Sequence, residues 1–421
     1  MEKIQIEKYT TYKPSGVEWL GDIPEHWESR KLKHIFMEKK GKTNSKLNCG
    51  SISFGKVVTK DDAKIPIATK ASYQEVLKGD FLINPLNLNY DLISLRIALS
   101  EIDVVVSSGY IVLNNQIEIN KSYFKWLLHR YDVAYMKLLG SGVRQTINFN
   151  HIANSILAVP PLSEQTTIAN FLDRKTALID QAIGIKEKQI ELLKERRQIL
   201  IHRAVTRGLN PNAKLKDSGV EWIGEIPEHW EVKRAKYLFD EINDRSEDGN
   251  EELLSVSHIT GVTPRSEKNV TMFQAEDYSN SKLCQKDDLI FNIMWAWMGA
   301  LGVSDRTGIV SPSYAVYRQK EKKFNSWYIE NLLGSINYIA HYNRVSTGLH
   351  SSRLRFYSTM FFEMAIGYPP IEEQEKIVQY LKYIDLKIST VLSLKEKEIE
   401  KLKEYKASLI NSVVTGKIKV T

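Results

Sequence analysis

Ser15-Gly16-Val17-Glu18-Trp19 and Pro24-Glu25-His26-Trp27-Glu28 return 203 residues later as Ser218-Gly219-Val220-Glu221-Trp222 and Pro227-Glu228-His229-Trp230-Glu231. A second shared block opens at Pro160-Pro161 and returns 209 residues later at Pro369-Pro370. It carries Glu164-Gln165 to Glu373-Gln374, Lys186-Glu187-Lys188 to Lys395-Glu396-Lys397, and Val205-Thr206 to Val414-Thr415. Matches of this length at a nearly constant offset establish an internal duplication. The second copy starts where the first block stops, and the chain ends where a third Ser-Gly-Val-Glu-Trp would begin. The order therefore predicts a circular arrangement with approximate two-fold symmetry.

The long shared blocks read as helices. Between Leu162 and Arg207 there is no proline and one glycine, Gly184; between Ile371 and Thr415 there is neither. The Pro-Pro pairs and the acidic residues after them (Glu164; Glu372, Glu373) suit helix starts, because carboxylates favour the positive end of the helix dipole. Gly208 and Gly416 suit the stops. Apolar residues recur on one stripe, Leu172, Ile179, Ile183, Ile190, Leu193, Leu200 and Ala204, and again as Leu381, Ile388, Leu392, Ile399, Leu402, Leu409 and Val413. Both stripes are interrupted at matching places, by Lys186 and Arg197 and by Lys395 and Lys406. Matching interruptions predict that the helices pack on each other with polar layers that fix register, antiparallel if the symmetry is two-fold. A helix of about 40 residues is roughly 60 Å long. The remaining charges suit a solvated coiled-coil face with pairs such as Glu191/Lys194 and Glu400/Lys403.

The stretches between the shared blocks are too long for loops and read as domains. The expected division is a scaffold segment 1–28, a domain 29–159, a helix 160–208, a repeated scaffold segment 209–231, a second domain 232–368 and a final helix 369–421. The expected fold class is α+β: two α/β domains joined by two long antiparallel coiled-coil helices. Val104–Val106, Tyr110–Leu113, Ile309–Val310 and Tyr314–Tyr317 read as strands. An amphipathic helix is expected at Tyr123, Leu127, Leu128, Tyr131 and Tyr135, and its counterpart at Trp327, Leu332, Leu333 and Ile336. Fainter matches tie the domains together: Asp80 and Asn84 to Asp288 and Asn292, Ser107–Tyr110 to Ser311–Tyr314, Gly142 to Gly348. A kept fold with a changed surface points to two related readers of different targets.

Polar residues in these domains suit nucleic acid, because Arg, Lys, Asn and Gln make paired contacts to base edges and Lys and Arg neutralise phosphate. In the first domain the candidates are Lys42, Asn44, Lys46, Lys56, Lys60, Asn84, Asn87, Asn89, Arg144, Gln145 and Asn148. In the second they are Arg265, Lys268, Asn292, Trp297, Ser311, Ser313, His350, Arg353 and Arg355. Strand alternation would put Trp295 and Trp297 on one face.

Composition agrees: a formal net charge of +7 favours acidic partners. With two cysteines, Cys49 and Cys284, no disulfide framework or cysteine-based zinc site is expected, which suits a reducing cytoplasm. No apolar run approaches bilayer-spanning length, so no membrane partner is expected. Catalytic patterns are missing too. Gly41-Lys42-Thr43 lacks the earlier glycine of a phosphate-binding loop, that position being Phe36. Asn84-Pro85-Leu86 lacks the second proline of the amino-methyltransferase motif. The histidines show no metal spacing, and a non-catalytic chain is expected.

The tandem SGVEWLGDIPEHWE and SGVEWIGEIPEHWE segments resemble those of the DNA specificity subunit of type I restriction–modification enzymes. So do the PPLSEQ and PPIEEQ helix entries and the stretch Phe291–Asp305 with Val310-Ser311-Pro312. The resemblance spans the chain and occurs in both halves. It implies two target recognition domains, each reading half of a split double-stranded DNA site, held apart by paired helices. It implies two modification subunits that bind S-adenosylmethionine and methylate adenine, and two ATP-driven restriction subunits. S-adenosylmethionine, ATP and Mg would belong to those partners, with no cofactor in this chain. In place of the family's commoner Trp-x-Gly-x-x-Gly-Val-Ser, the first domain reads Leu86-Asn87-Leu88-Asn89-Tyr90-Asp91. The residues alone leave a second possibility, a coiled-coil adaptor that binds only proteins.

Overall fold

The computed structural model describes residues 7–39, 43–87, 96–136, 139, 145–268, 277–348, 350 and 353–420. The chain forms two compact units, Met1–Glu187 with Glu396–Thr421, and Lys188–Lys395. Each unit repeats the same internal plan.

In the first unit a four-stranded antiparallel sheet is ordered Ile97–Leu99, Phe81–Ile83, Ile111–Asn115, Phe36–Glu38. The second unit has the equivalent sheet, ordered Leu301–Val303, Leu289–Asn292, Tyr314–Gln319, Phe239–Ile242. Strands Phe81–Ile83 and Leu289–Asn292 are buried at every position, hence their unbroken apolar character. Successive side chains point to opposite faces. Leu289 and Phe291 enter a core with Tyr328, Leu332 and Phe361, whereas Ile290 faces a smaller cluster with Leu254, Val256 and Cys284.

The helix expected around Tyr123–Tyr135 spans Lys121–Ala134, started by Asn120, whose side chain accepts from the Tyr123 amide. Its counterpart differs from expectation. The segment is two helices, Ser326–Leu333 and Ile336–Val345, with Ile336 on the second. Gly334 ends the first, and a Cβ there would lie 3.0 Å from the Glu330 carbonyl oxygen.

The shared motifs form the frame of each unit. The first repeated string folds as a small hairpin, Tyr12–Pro14 on Asp22–Pro24 and Leu215–Asp217 on Glu225–Pro227. Glycines at positive φ, Gly16 and Gly21 and then Gly219 and Gly224, turn it. The strand that follows pairs with the strand before each Pro-Pro: Glu28–Lys31 with Ile156–Val159, and Glu231–Arg234 with Ala365–Tyr368.

Two helices of the expected extent follow, Leu162–Arg207 and Ile371–Val414, with Gly208 and Gly416 at φ 73° beyond their ends. Ile179, Ile183, Ile388 and Ile399 are buried on the seam, and Ile190, Leu193, Leu392 and Leu402 are half-buried. Its interruptions are ion pairs between the helices. In the first unit Lys186 meets Glu398 at 2.6 Å and Lys406 meets Asp180 at 2.6 Å. The pairs shift in opposite directions along the two helices, so the segments run antiparallel. In the second unit Arg197 meets Asp385 at 2.5 Å; Lys395, the fourth interruption, is half-buried. The exposed pairs differ from those expected: Glu191 pairs back to Lys188 at 3.0 Å, and Lys401 pairs with Glu404 at 2.8 Å. On open helix faces such pairs contribute little to stability. No helix among the described residues is long and apolar enough to cross a membrane.

Candidate nucleic-acid interface

The motif repeats are explained by packing within each unit. Glu164, at the helix entry, accepts from the buried Trp27 indole at 3.1 Å and pairs with His26 at 2.9 Å. Tyr9 donates its hydroxyl to the same carboxylate, and burial raises its pKa well above the usual phenol value. In the second unit Glu373 accepts from Trp230 at 3.3 Å and pairs with His229 at 2.6 Å. Gln165 accepts from the Asn120 amide and donates to the Pro160 carbonyl; Gln374 does the same with Asn325 and Pro369. Tyr123 donates to the Val414 carbonyl at 3.4 Å, and Tyr328 to that of Val205 at 2.9 Å. These residues hold the domain on its helices.

The parts that differ between the units gather where the central strand ends. In the second unit that strand stops at Asn292, whose side-chain amide donates to the Tyr314 hydroxyl at 3.2 Å and accepts from the Met294 amide at 3.3 Å. Tyr314 follows the Ser311 turn, in which the Ser311 hydroxyl accepts from the Ser313 amide. Burial raises the pKa of the Tyr314 hydroxyl, opposed in part by the neighbouring Arg265 guanidinium and by a bond to the Val256 backbone. Lys268 donates to the Ser255 hydroxyl at 3.0 Å, and burial followed by Arg265 lowers its pKa. The Ile293 carbonyl accepts from the Phe356 amide at 2.9 Å, bringing up the bridge between Thr347 and Arg355. Exposed His350 and Arg353 form the turn beyond it. Gly348 is required there, since a Cβ would lie 2.3 Å from the Arg353 carbonyl oxygen. Asn292 and Ser311 are thus brought together through Tyr314, and Arg355 approaches the strand end through its neighbour Phe356.

In the first unit the equivalent strand ends at Ile83, and the side chain of Asn84, just beyond it, accepts from the Leu86 amide at 3.0 Å. Asn87 pairs through its backbone with Gln145, and the Ile147 amide reaches the Pro85 carbonyl. Tyr110 occupies the place of Tyr314, its hydroxyl bonded to the Ile52 backbone on the hairpin that ends in Lys56–Thr59. Lys46, Lys56 and Lys60 are exposed. Lys42, Asn89, Arg144 and Gly142 lie outside the described residues.

Some candidates serve the fold instead. Asn292 is 5% exposed with both ends of its amide engaged, which corrects its expected contact with DNA. Asn148 caps the short helix Phe149–Ala153 through the His151 amide. Asn44 donates to Glu75 at 3.0 Å and accepts from Lys46. The two tryptophans do not lie on a strand: a tight turn at Ala296–Met298 carries them. Trp297 donates its indole N–H to the Met294 carbonyl, and Trp295 is the exposed ring. Sequence reading missed Tyr110 and Tyr314 as anchors, although their place after matching turns was visible. Among the described residues no group of His, Cys, Asp or Glu could hold a metal ion.

The family model for the type I restriction modification DNA specificity domain matches residues 24–195 and 227–404. The putative type I restriction enzyme MjaX specificity subunit of Methanocaldococcus jannaschii is 25% identical over 99% of each chain. The MjaVIII specificity subunit of the same organism is 26% identical over 63% of each. Among solved structures, a chain from work on complex assembly and conformational transition of the type I R-M system superposes with a TM-score of 0.66. It is 15% identical, over 93% of this chain and 98% of that one. The HsdS subunit of Thermoanaerobacter tengcongensis superposes with a TM-score of 0.53 at 15% identity, over 94% and 98%. These two likenesses concern the fold.

Proposed function

Because this chain belongs to the type I restriction–modification DNA specificity family, we propose that it reads an asymmetric two-part DNA sequence, one recognition domain per part. As a specificity subunit it supplies sequence discrimination to a restriction–modification complex and leaves the chemistry to other subunits. One observation carries the two-part reading. The frame contacts of Glu164, Gln165 and Tyr123 recur at Glu373, Gln374 and Tyr328, while the edge residues change. Lys56, Lys60 and Gln145 stand in one domain; Arg265, Lys268, Arg353 and Arg355 stand in the other. Equal frames position two readers, and unequal edges give them different targets.

The long helices set the unread spacer. Half-sites read from one face of a duplex lie about 34 Å apart, within the roughly 65–70 Å length of either helix. The first long helix also offers an apolar surface to a partner: Leu178 and Ile185 are each more than half exposed. The family resemblance brings two modification subunits that bind S-adenosylmethionine and methylate adenine. Two ATP- and Mg-dependent restriction subunits complete the cleaving form, which would work in the cytoplasm, where the host's DNA lies.

The test is a domain exchange. Replacing residues 29–159 with another member's domain and mapping methylated adenines should change one half of the recognised sequence. A change in both halves would overturn independent reading.

A further inference from the structure

Trp295 stands three residues beyond the end of the central strand of the second domain and is 47% exposed. Its turn is tightly held. The Trp295 amide donates to the Asn292 carbonyl at 2.9 Å, and its own carbonyl accepts from Met298 and Ala300 at 2.9 and 3.2 Å. Gly299 closes the turn at φ 86°, where a Cβ would lie 2.7 Å from Ile339. The Trp297 ring backs that of Trp295, with centroids 6.0 Å apart and planes 26° apart, and Trp297 is fixed by its bond to Met294. Met298, 36% exposed, adds a second apolar surface on the same turn.

A single exposed ring is ordinary on a protein surface; the rigid turn that holds this one outward, with exposed Met298 beside it, sets it apart. Cationic side chains lie near that strand end: Arg355 precedes Phe356, whose amide donates to the Ile293 carbonyl, and Arg265 neighbours Tyr314, the partner of Asn292. A partner that is polyanionic and also offers flat apolar faces is a nucleic-acid duplex at an opened base step. Resting on the reading of this domain as a DNA reader, we propose that Trp295 is its apolar wedge. The ring inserts at one base step of the second half-site and stacks on the exposed base, with Trp297 keeping it from folding away. A rigid backing suits insertion, because a wedge must keep its orientation against the cost of unstacking.

The test uses the complex of this chain with its modification subunits and duplexes carrying 2-aminopurine singly at purine positions of both half-sites. With the unaltered chain, fluorescence should change at one step of the second half-site other than the methylated adenine, with the probe that stacks on the indole staying quenched and its unstacked neighbour brightening. Trp295→Ala should abolish that pattern and weaken site binding at least tenfold, leaving the first half-site's signals unchanged; Trp295→Phe should keep most of both. An unchanged pattern with Trp295→Ala would refute the wedge while leaving the domain a DNA reader. A complex that assembles with Trp295→Phe but not with Trp295→Ala would make the ring a protein contact and refute it too. No preference for any site by the unaltered complex would bring down the DNA reading itself, and the wedge with it.

Discussion

Lys406 and Asp180 meet at 2.6 Å across the two long helices although 226 positions separate them in the chain. The lysine lies where the apolar seam is interrupted, so the seam's polar layer is an ion pair between helices. Both side chains keep solvent contact, at 26% and 57% exposure. Lys406→Ala should therefore cost no more than about 1 kcal/mol. Urea melts should show that loss at 0.1 M salt and little of it at 1 M, where screening shortens the reach of charge to about 3 Å.

Glu164 supports Trp27 more strongly than any ion pair supports the helices. Glu164→Ala would leave the buried Trp27 indole N–H without its acceptor, at a cost of about 1–3 kcal/mol. Glu164→Gln keeps an acceptor oxygen and should lose clearly less. Glu373 holds Trp230 in the same way, so Glu373→Ala should produce a similar loss in the second unit. Urea midpoints of the three single variants at residues 164 and 373 check this.

If the helices set the spacer, seven residues added to each at matching seam positions should lengthen the unread spacer without altering either half-site. Seven residues preserve the seam's phase, so the ion pairs and apolar contacts can re-form in register. Mapping methylated adenines reads the outcome, and an unchanged spacer would separate the helices from the ruler role.

Asp62 gives a pH dependence of defined sign. The Lys70 ammonium, 2.5 Å away, and the Cys49 amide hold its carboxyl down from 3.8 to about 2. A depressed folded value means that its contribution is complete above about 4 and disappears as pH falls toward 2. The stability gap between the natural chain and Asp62→Asn should be largest at neutral pH and close over that acid window. Urea midpoints at steps from pH 7 to pH 2 would show a flat gap if Asp62 were not held by charge.

Some of this was legible before any coordinates. The helices Leu162–Arg207 and Ile371–Val414 appeared because absent proline, a sustained apolar stripe and terminal glycines act locally along the chain. The seam followed because matching interruptions pointed to matching contacts. Side-chain partnership was less legible. Asn292 has the chemistry of a base reader, but the fold places Tyr314 and the Met294 amide against it. Trp295 and Trp297 look interchangeable in sequence, and a tight turn makes one the exposed ring and the other its support.

The sequence by itself determined the duplication, the extent of the two long helices and the family, because these rest on repetition and short-range periodicity. Tertiary structure decided what the repeats are for. Glu164 and Glu373 hold indoles more than 130 residues away, and the Phe356 amide reaches the Ile293 carbonyl just past the end of the central strand. Such meetings depend on strand order and on which backbone groups pair across the sheet, which residue spacing does not encode. Whether a polar side chain points at DNA or at its own fold is settled only when those partners arrive.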